Sequence, residues 1–386
     1  MQAGNIKIVF FIIFILLIFS CTKSNENTEN IETEITGTET EFDDEQSVNY
    51  SESAEELIFT VNAYNYDPTP QLHEYVDLWS YSPLNENNRL AVLDERAGYR
   101  VDGYLFMLDG ATAFFPLYAA FAKATYPENY WKDWSDFHDK GYHRDMQFAV
   151  RCSRTADAYN NLLNGTVDII FCLEPSQEHQ QQFRDKNMNL KLVPIGREAF
   201  VFFTHKNNPV SNITIENIQG IYSGRIRNWS ELGGRNNDII AFQRPENSGS
   251  QTILNTVMKN IPIVRPPREI IMPEMGDIIN RVASYRNLNE AIGYSFLIYA
   301  TEMVKNDQIK LLSINGVHPS LETIKNNTYP FSVNIYAVYV DNNYNDIDFE
   351  SFYYYLEHKK SFVEWILSRQ GQLLVSRTGY VPINNN

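Results

Sequence analysis

The chain has 386 residues and a formal net charge of −16, with 43% hydrophobic, 21% charged and 13% aromatic residues. That length implies two or three domains with cores of their own, and the apolar and aromatic share excludes general disorder. Residues 22–56 hold twelve acids against the single base Lys23, so the rest is only mildly acidic, with no basic excess to engage nucleic acid or an anionic membrane surface.

Residues 8–19, IVFFIIFILLIF, are an unbroken apolar run of twelve. The run is short of the roughly 20 residues that span a bilayer as a helix. It suits the apolar region of a secretory signal, with Lys7 as a thin positive flank. It continues through Ser20 to Cys21. An apolar stretch, a small residue and then Cys resembles a bacterial lipobox. The resemblance implies residues 1–20 as a signal peptide, cleavage before Cys21, and lipid on that residue. A plain signal with an incidental Cys, or a short membrane anchor, are the alternatives. Residues 21–56 are Glu-, Thr-, Asn- and Ser-rich, so they read as a disordered, self-repelling spacer with no binding role.

From about Leu57 the composition becomes globular. Residues 57–100, with Tyr66, Pro68, Pro70 and Trp79-Ser80-Tyr81-Ser82-Pro83, read as an irregular segment wrapping a first lobe. Tyr104–Leu108 is a short apolar run ending at Asp109-Gly110. A helix-period segment follows, with Phe114, Leu117, Tyr118 and Phe121 on one face. Met146–Val150 is a strand, Ala156–Leu163 a helix closed by Gly165, and Val167–Phe171 a buried-type strand. Such alternation implies a parallel sheet covered by helices.

Leu190–His205 is a long β-type stretch interrupted by Pro194 and Gly196, suited to crossing between lobes. A second α/β set follows: a helix at Ile215–Ile221, a strand at Ile239–Phe242, a helix after Ser248 and a strand at Ala291–Ser295. Phe331–Val340 is a second long strand for the return crossing. The chain closes with an amphipathic helix at Phe362–Leu367, then Gly371 and a short tail.

Six segments in order carry a resemblance. They are Leu108-Asp-Gly-Ala-Thr112, Asn164-Gly-Thr-Val-Asp-Ile169, Ile221-Tyr-Ser-Gly-Arg-Ile-Arg-Asn-Trp229, Arg244-Pro-Glu-Asn-Ser-Gly-Ser250, Ala291-Ile-Gly-Tyr294, and Gln370-Gly-Gln372 with Gly379-Tyr-Val-Pro382. Over about 108–383 the chain resembles the phosphate-binding proteins of bacterial phosphate ABC importers, within the type II periplasmic-binding-protein superfamily. The resemblance implies an α/β, two-lobed fold with a ligand cleft between lobes joined by two crossing strands. Lobe 1 would be 57–197 plus 330–386, and lobe 2 198–329. It implies capture of inorganic phosphate or a similar oxyanion for an importer permease, by a monomeric, exported, lipid-anchored protein with no enzymatic activity, cofactor or metal.

An oxyanion leaving water needs many donors, and helix N-termini supply N–H groups with the positive end of a dipole. Three helix starts qualify. In the first, Thr112 both caps and donates, with Ala113 beside it. In the second, Cys152-Ser-Arg-Thr-Ala156, either Ser153 or Thr155 can take the role, and Arg154 either adds a charge or faces solvent, the commoner fate of an Arg in a helix's first turn. The third follows a strand: Arg244 offers a planar fork for two anion oxygens, Ser248 and Ser250 offer hydroxyls, and Gly249 lets the backbone approach. The family has an Arg four residues before a Ser-Gly-Thr helix start, and Arg244, Ser248, Gly249 and Ser250 match it with Ser for Thr. The resemblance also implies a carboxylate after the third strand that accepts a hydrogen bond from protonated phosphate. Glu174 is the candidate here, with an exposed loop Glu as the bland alternative.

Other motifs carry less. His138 and His143 lack a third partner at metal spacing, and Asn247–Gln251 lacks the glycines of a nucleophile elbow. Cys21, Cys152 and Cys172 have no C-x-x-C spacing. In the family's sheet order the first strand separates the ends of the second and third, so Cys152 and Cys172 are expected as free thiols. A related anion, a sensing role, or an extracellular phosphatase using Ser248 or Ser250 are the alternative functions.

Overall fold

The computed structural model describes residues 76–101, 105–128, 130–131, 149–284, 290–341 and 349–383. The signal segment, Cys21, the acidic spacer, Tyr66, Pro68, Pro70, Tyr104, Met146, His138 and His143 lie outside the described residues.

The strands are β1 Leu108–Gly110, β2 Ile169–Cys172, β3 Leu190–His205, β4 Asn212–Ile213, β5 Ile240–Ala241, β6 Ala291–Phe296, β7 Ile309–Leu311, β8 Ser313–Ile314, β9 Ser332–Val340 and β10 Val381–Pro382. The helices are α1 Phe115–Thr125, α2 Arg154–Leu163, α3 Gln177–Asp185, α4 Ile215–Tyr222, α5 Gly249–Met258, α6 Met275–Ser284, α7 Leu321–Lys325, α8 Phe349–Leu367 and α9 Arg369–Arg377. The main sheet runs β1-β2-β9-β3-β6-β5, with β7 and β10 also on β3.

Strand β3 organises this sheet because it changes partners midway. Leu190–Ala199 pairs antiparallel with β9, and Phe200–Thr204 pairs antiparallel with β6. The register slips between Pro194 and Gly196, as expected where a proline has no N–H for the ladder. Strand β9 joins at the same point, where the Phe200 N–H donates to the Phe331 carbonyl at 2.9 Å. The sheet is therefore mixed rather than wholly parallel: β1/β2 and β5/β6 are parallel, but β3 and β9 run against their neighbours. The alternation accounts for the parallel pairs, and the two long strands expected at Leu190–His205 and Phe331–Val340 account for the antiparallel ones.

Val150 bridges Leu108 in parallel, so β1 lies between that segment and β2. Cys152 and Cys172 are accordingly free thiols, Cys172 fully buried. Helix α1 is apolar nearly all round, and Phe115–Ala122 are all buried, the pattern of a helix covered on every side. Its Tyr118 ring stacks on Phe171 of β2, centroids 5.1 Å apart. Residues 76–101 are irregular apart from one 3-10 turn at Leu78–Tyr81, and they are tied to α9 through Arg377–Asp94 and Gln370–Gly98. Gly371 does not end a helix. It lies inside α9, where a Cβ would come 2.3 Å from the Ile366 carbonyl oxygen, so it allows α8 and α9 to turn tightly at Ser368.

Glu198 sits where β3 changes partners and is 1% exposed. Its carboxyl accepts from the Ala199 N–H at 2.7 Å and from the Ile298 N–H at 3.2 Å. Burial pushes its pKa up to about 8, against these two hydrogen bonds. An unfolded glutamate titrates near about 4.3, so between those values the native state holds a proton that the unfolded state releases, and stability falls as pH rises. Glu198→Gln removes that proton linkage. Urea unfolding at pH 5 and pH 8 should show the variant gaining on the wild type as pH rises. A constant difference would contradict the assignment.

Candidate functional site

The strand ends of both halves of the sheet lead into helix starts that meet around one cleft of about 140 Å³. Ala111, Thr112 and Arg154–Asp157 line one side, and Arg244–Glu246, Ser248–Ser250, Pro273–Met275, Phe296 and Tyr299 the other. Ligands of open α/β sheets bind beyond the strand ends in this way.

Thr112 follows β1 and is 5% exposed. The cap position of the 3-10 turn Thr112–Phe114 is taken by Ala111, and no side chain caps it, so the expected capping role of Thr112 is not seen. Ala113 lies behind Thr112, outside the cleft lining, and its carbonyl accepts from the Tyr380 hydroxyl.

The second helix start is held by Asp109, a fully buried carboxylate. It accepts from the Gly110 and Ser153 N–H groups at 2.7 and 2.8 Å and from the Asn161 amide at 2.8 Å. Burial raises its pKa against those donors. Ser153 is therefore engaged with Asp109, and its hydroxyl accepts from Asn161 at 3.3 Å. It does not line the cleft, whereas Thr155 does. Arg154 opens α2 with a left-handed φ of +72°, uncommon outside glycine. Its Nη1 donates to Glu274 Oε1 at 2.6 Å.

The third helix start faces the second. A Cβ on Gly249 would lie 2.8 Å from Thr155 Oγ1, so any side chain there would drive the α2 and α5 termini apart. Ser248 is the N-cap of α5, its hydroxyl accepting from the Gln251 N–H at 3.3 Å. The first N–H groups of α5 have no intrahelical partner by geometry. Ser250 is 2% exposed and its hydroxyl has no protein partner.

Arg244 completes this side. Its N–H donates to Gln251 Oε1 at 3.0 Å and to the Tyr294 hydroxyl at 2.9 Å, which fixes its backbone. The residue is 9% exposed, and Nε and Nη1 have no partner. Burial lowers its pKa, opposed by Tyr294 and Glu274. A buried guanidinium with two N–H groups unanswered is costly unless an anion arrives.

Glu174 is elsewhere. Its Oε1 accepts from the Tyr336 hydroxyl at 2.9 Å, and it lines a separate surface depression with Gln180 and Arg184. The carboxylates that line the cleft are Asp157, Glu246 and Glu274. No motif marks Glu274, which sits in the short Pro273-Glu274 link before α6. Asp109 carries a weak signal, a lone acid closing an apolar run. Among the described residues no group of three or more His, Cys, Asp or Glu is placed to hold a metal ion.

Residues 107–370 match a family profile described as a PBP superfamily domain. The chain is 28% identical over 192 residues to the phosphate-binding protein PstS of Borreliella burgdorferi, covering 48% of this chain and 63% of that protein. It is 27% identical over 177 residues to PstS of Bacillus subtilis, covering 46% and 52%. The chain thus spans between half and two thirds of the length of these relatives. Among solved structures it resembles a Clostridium perfringens protein described as a phosphate ABC transporter substrate-binding protein with bound phosphate, with a TM-score of 0.50, 24% identity, and coverage of 72% of this chain and 98% of that one.

The unanswered charge has a consequence without any ligand. Arg244→Met should leave the ligand-free protein as stable or more stable, by about 1–2 kcal/mol, because a buried unpaired charge is removed while the backbone contacts stay. Thermal unfolding in anion-free buffer checks this, and a large loss would give the side chain a structural role.

Proposed function

The chain belongs to the PBP superfamily, and from that premise we propose that it is a solute-binding protein that captures inorganic phosphate and delivers it to an ABC importer. Its lobes are residues 57–197 with 330–386, and residues 198–329. Residues 1–20 act as an export signal, and lipid on Cys21 anchors the protein on the outer side of a bacterial membrane. Among the described residues no helix is long and apolar enough to cross a membrane. The protein works as a monomer.

One observation carries this reading: the buried Arg244 fork and the Ser250 hydroxyl lack protein partners at the point where the α2 and α5 N-termini converge. Donors without acceptors suit a small, oxygen-rich anion. Ser250, Thr155, Thr112 and the first N–H groups of α5 supply the remaining hydrogen bonds, and Arg244 supplies the charge. The names of the relatives point to phosphate among such anions. Binding proceeds by closure of the lobes about the β3 crossing, a hinge motion.

Calorimetric titration of phosphate, then sulfate, into protein unfolded and refolded to strip carried ligand tests the proposal. Phosphate should bind at micromolar concentration or tighter, with no sulfate signal. Arg244→Ala should weaken phosphate binding by about 2–5 kcal/mol, the range for stripping one partner from a desolvated charge contact. Glu174→Gln, on the distant Tyr336 contact, should change it by less than about 0.5 kcal/mol, as surface substitutions do. Silence with phosphate from folded protein would remove the assignment.

A further inference from the structure

Among the described residues, side chains join the two sides both at the cleft and beside it. Arg154 Nη1 donates to Glu274 Oε1 at 2.6 Å, and Asn247 Nδ2 donates to Glu178 Oε2 at 2.5 Å. Arg154 and Glu178 belong to α2 and α3, and α2 packs on β1, β2 and α3. Asn247 precedes α5 and Glu274 precedes α6, helices that pack on β6. Each contact therefore joins elements on opposite sides of the point where β3 changes partners. Both donors hold a left-handed backbone, with φ of +72° at Arg154 and +65° at Asn247. For residues with a side chain that conformation is sparsely populated, and it persists where surrounding contacts enforce it.

We propose, on the reading that this cleft closes on an oxyanion, that the Arg154–Glu274 ion pair is its latch, with Asn247–Glu178 as a second tie. The pair forms on closure and breaks on opening, so it governs how long the ligand stays rather than how fast it is captured. The pair is half-shielded, with Arg154 39% and Glu274 25% exposed, so it is neither a fully screened surface pair nor an inaccessible one. Glu274 also occupies Arg154. Arg154 is also 3.9 Å from Asp157, so carboxylates flank it and draw it away from the anion, whereas the buried Nε and Nη1 of Arg244 have no partner.

Any interaction present only in the closed state lowers the opening rate, and by linkage it stabilises closure without ligand. Glu274 and Arg154 are then positioning residues, acting through each other. A direct contact to the anion would behave differently. Freeing Arg154 by removing its carboxylate partner would give the ligand another donor and tighten binding.

The test is stopped-flow measurement of inorganic phosphate association and release with wild type, Arg154→Gln, Glu274→Gln and the double variant. Each single variant should speed release about tenfold with association changed less than about twofold, and the double variant should be no worse than either single one. Added salt should speed wild-type release more than it speeds release from the variants, which keep the Arg244 contact but lack the pair. Slower release in Glu274→Gln, or no change in either variant, would overturn the latch. Small-angle scattering of the ligand-free proteins keeps the idea testable if phosphate proves not to be the ligand. The variants should be more open than the wild type, and identical dimensions would also overturn it. Absence of phosphate binding in the wild type counts against the proposed ligand alone.

Discussion

A guanidinium that is 9% exposed, with two N–H-bearing nitrogens lacking acceptors, is an unstable arrangement for a protein interior unless something else is meant to complete it. The surroundings of Arg244 hold its backbone and leave its fork open. Gln251 and Tyr294 take the backbone N–H, and the Tyr294 hydroxyl donates to Gln251 Oε1 at 2.5 Å. Under the proposed function, the cost of those unanswered donors is the reserve from which anion binding is drawn. The same reasoning accounts for Ser250, whose buried hydroxyl waits in the same place.

The fold delivers that arrangement through one strand. Because β3 runs through the junction, the strand ends on either side of it point helix starts at a common space. One side contributes the turn after β1 and the start of α2, and the other contributes Arg244 and the start of α5. Asp109 stiffens the first side by gathering three donors from residues 110, 153 and 161. Gly249 lets the two sides touch at Thr155. Precision thus comes from buried polar groups with full sets of partners, while Arg244 and Ser250 are left incomplete.

Much of this was legible in the residues. Leu190–His205 is long, apolar and bounded by polar residues, so its limits in the structure coincide with the reading of the sequence. Ser248 caps α5 as its position before Gly249 implies. Arg244, Ser248, Gly249 and Ser250 fall together because one short segment sets their spacing. The readings that depended on distant neighbours fared differently. Nothing local places Ser153 outside the cleft lining and Thr155 within it, because Ser153 is held by Asp109, 44 residues before it. Glu174 leaves the cleft because the turn through Pro175 carries it to Tyr336, 162 residues away. Glu274 enters it from a stretch with no periodicity or motif. Gly371 follows the helix read at Phe362–Leu367 as if in a tail, yet it lies in a further helix and serves a close contact between the two, a matter of packing that residue type alone does not reveal.

The most direct measurement is a crystal structure of the protein grown with inorganic phosphate after ligand stripping. A tetrahedral anion should sit within hydrogen-bond distance of Arg244 Nε and Nη1 and of Ser250 Oγ, with Thr155 on its other side and the Arg154–Glu274 pair intact. An anion bound elsewhere, or an Arg244 side chain turned onto a protein carboxylate with the cleft empty, would contradict the account.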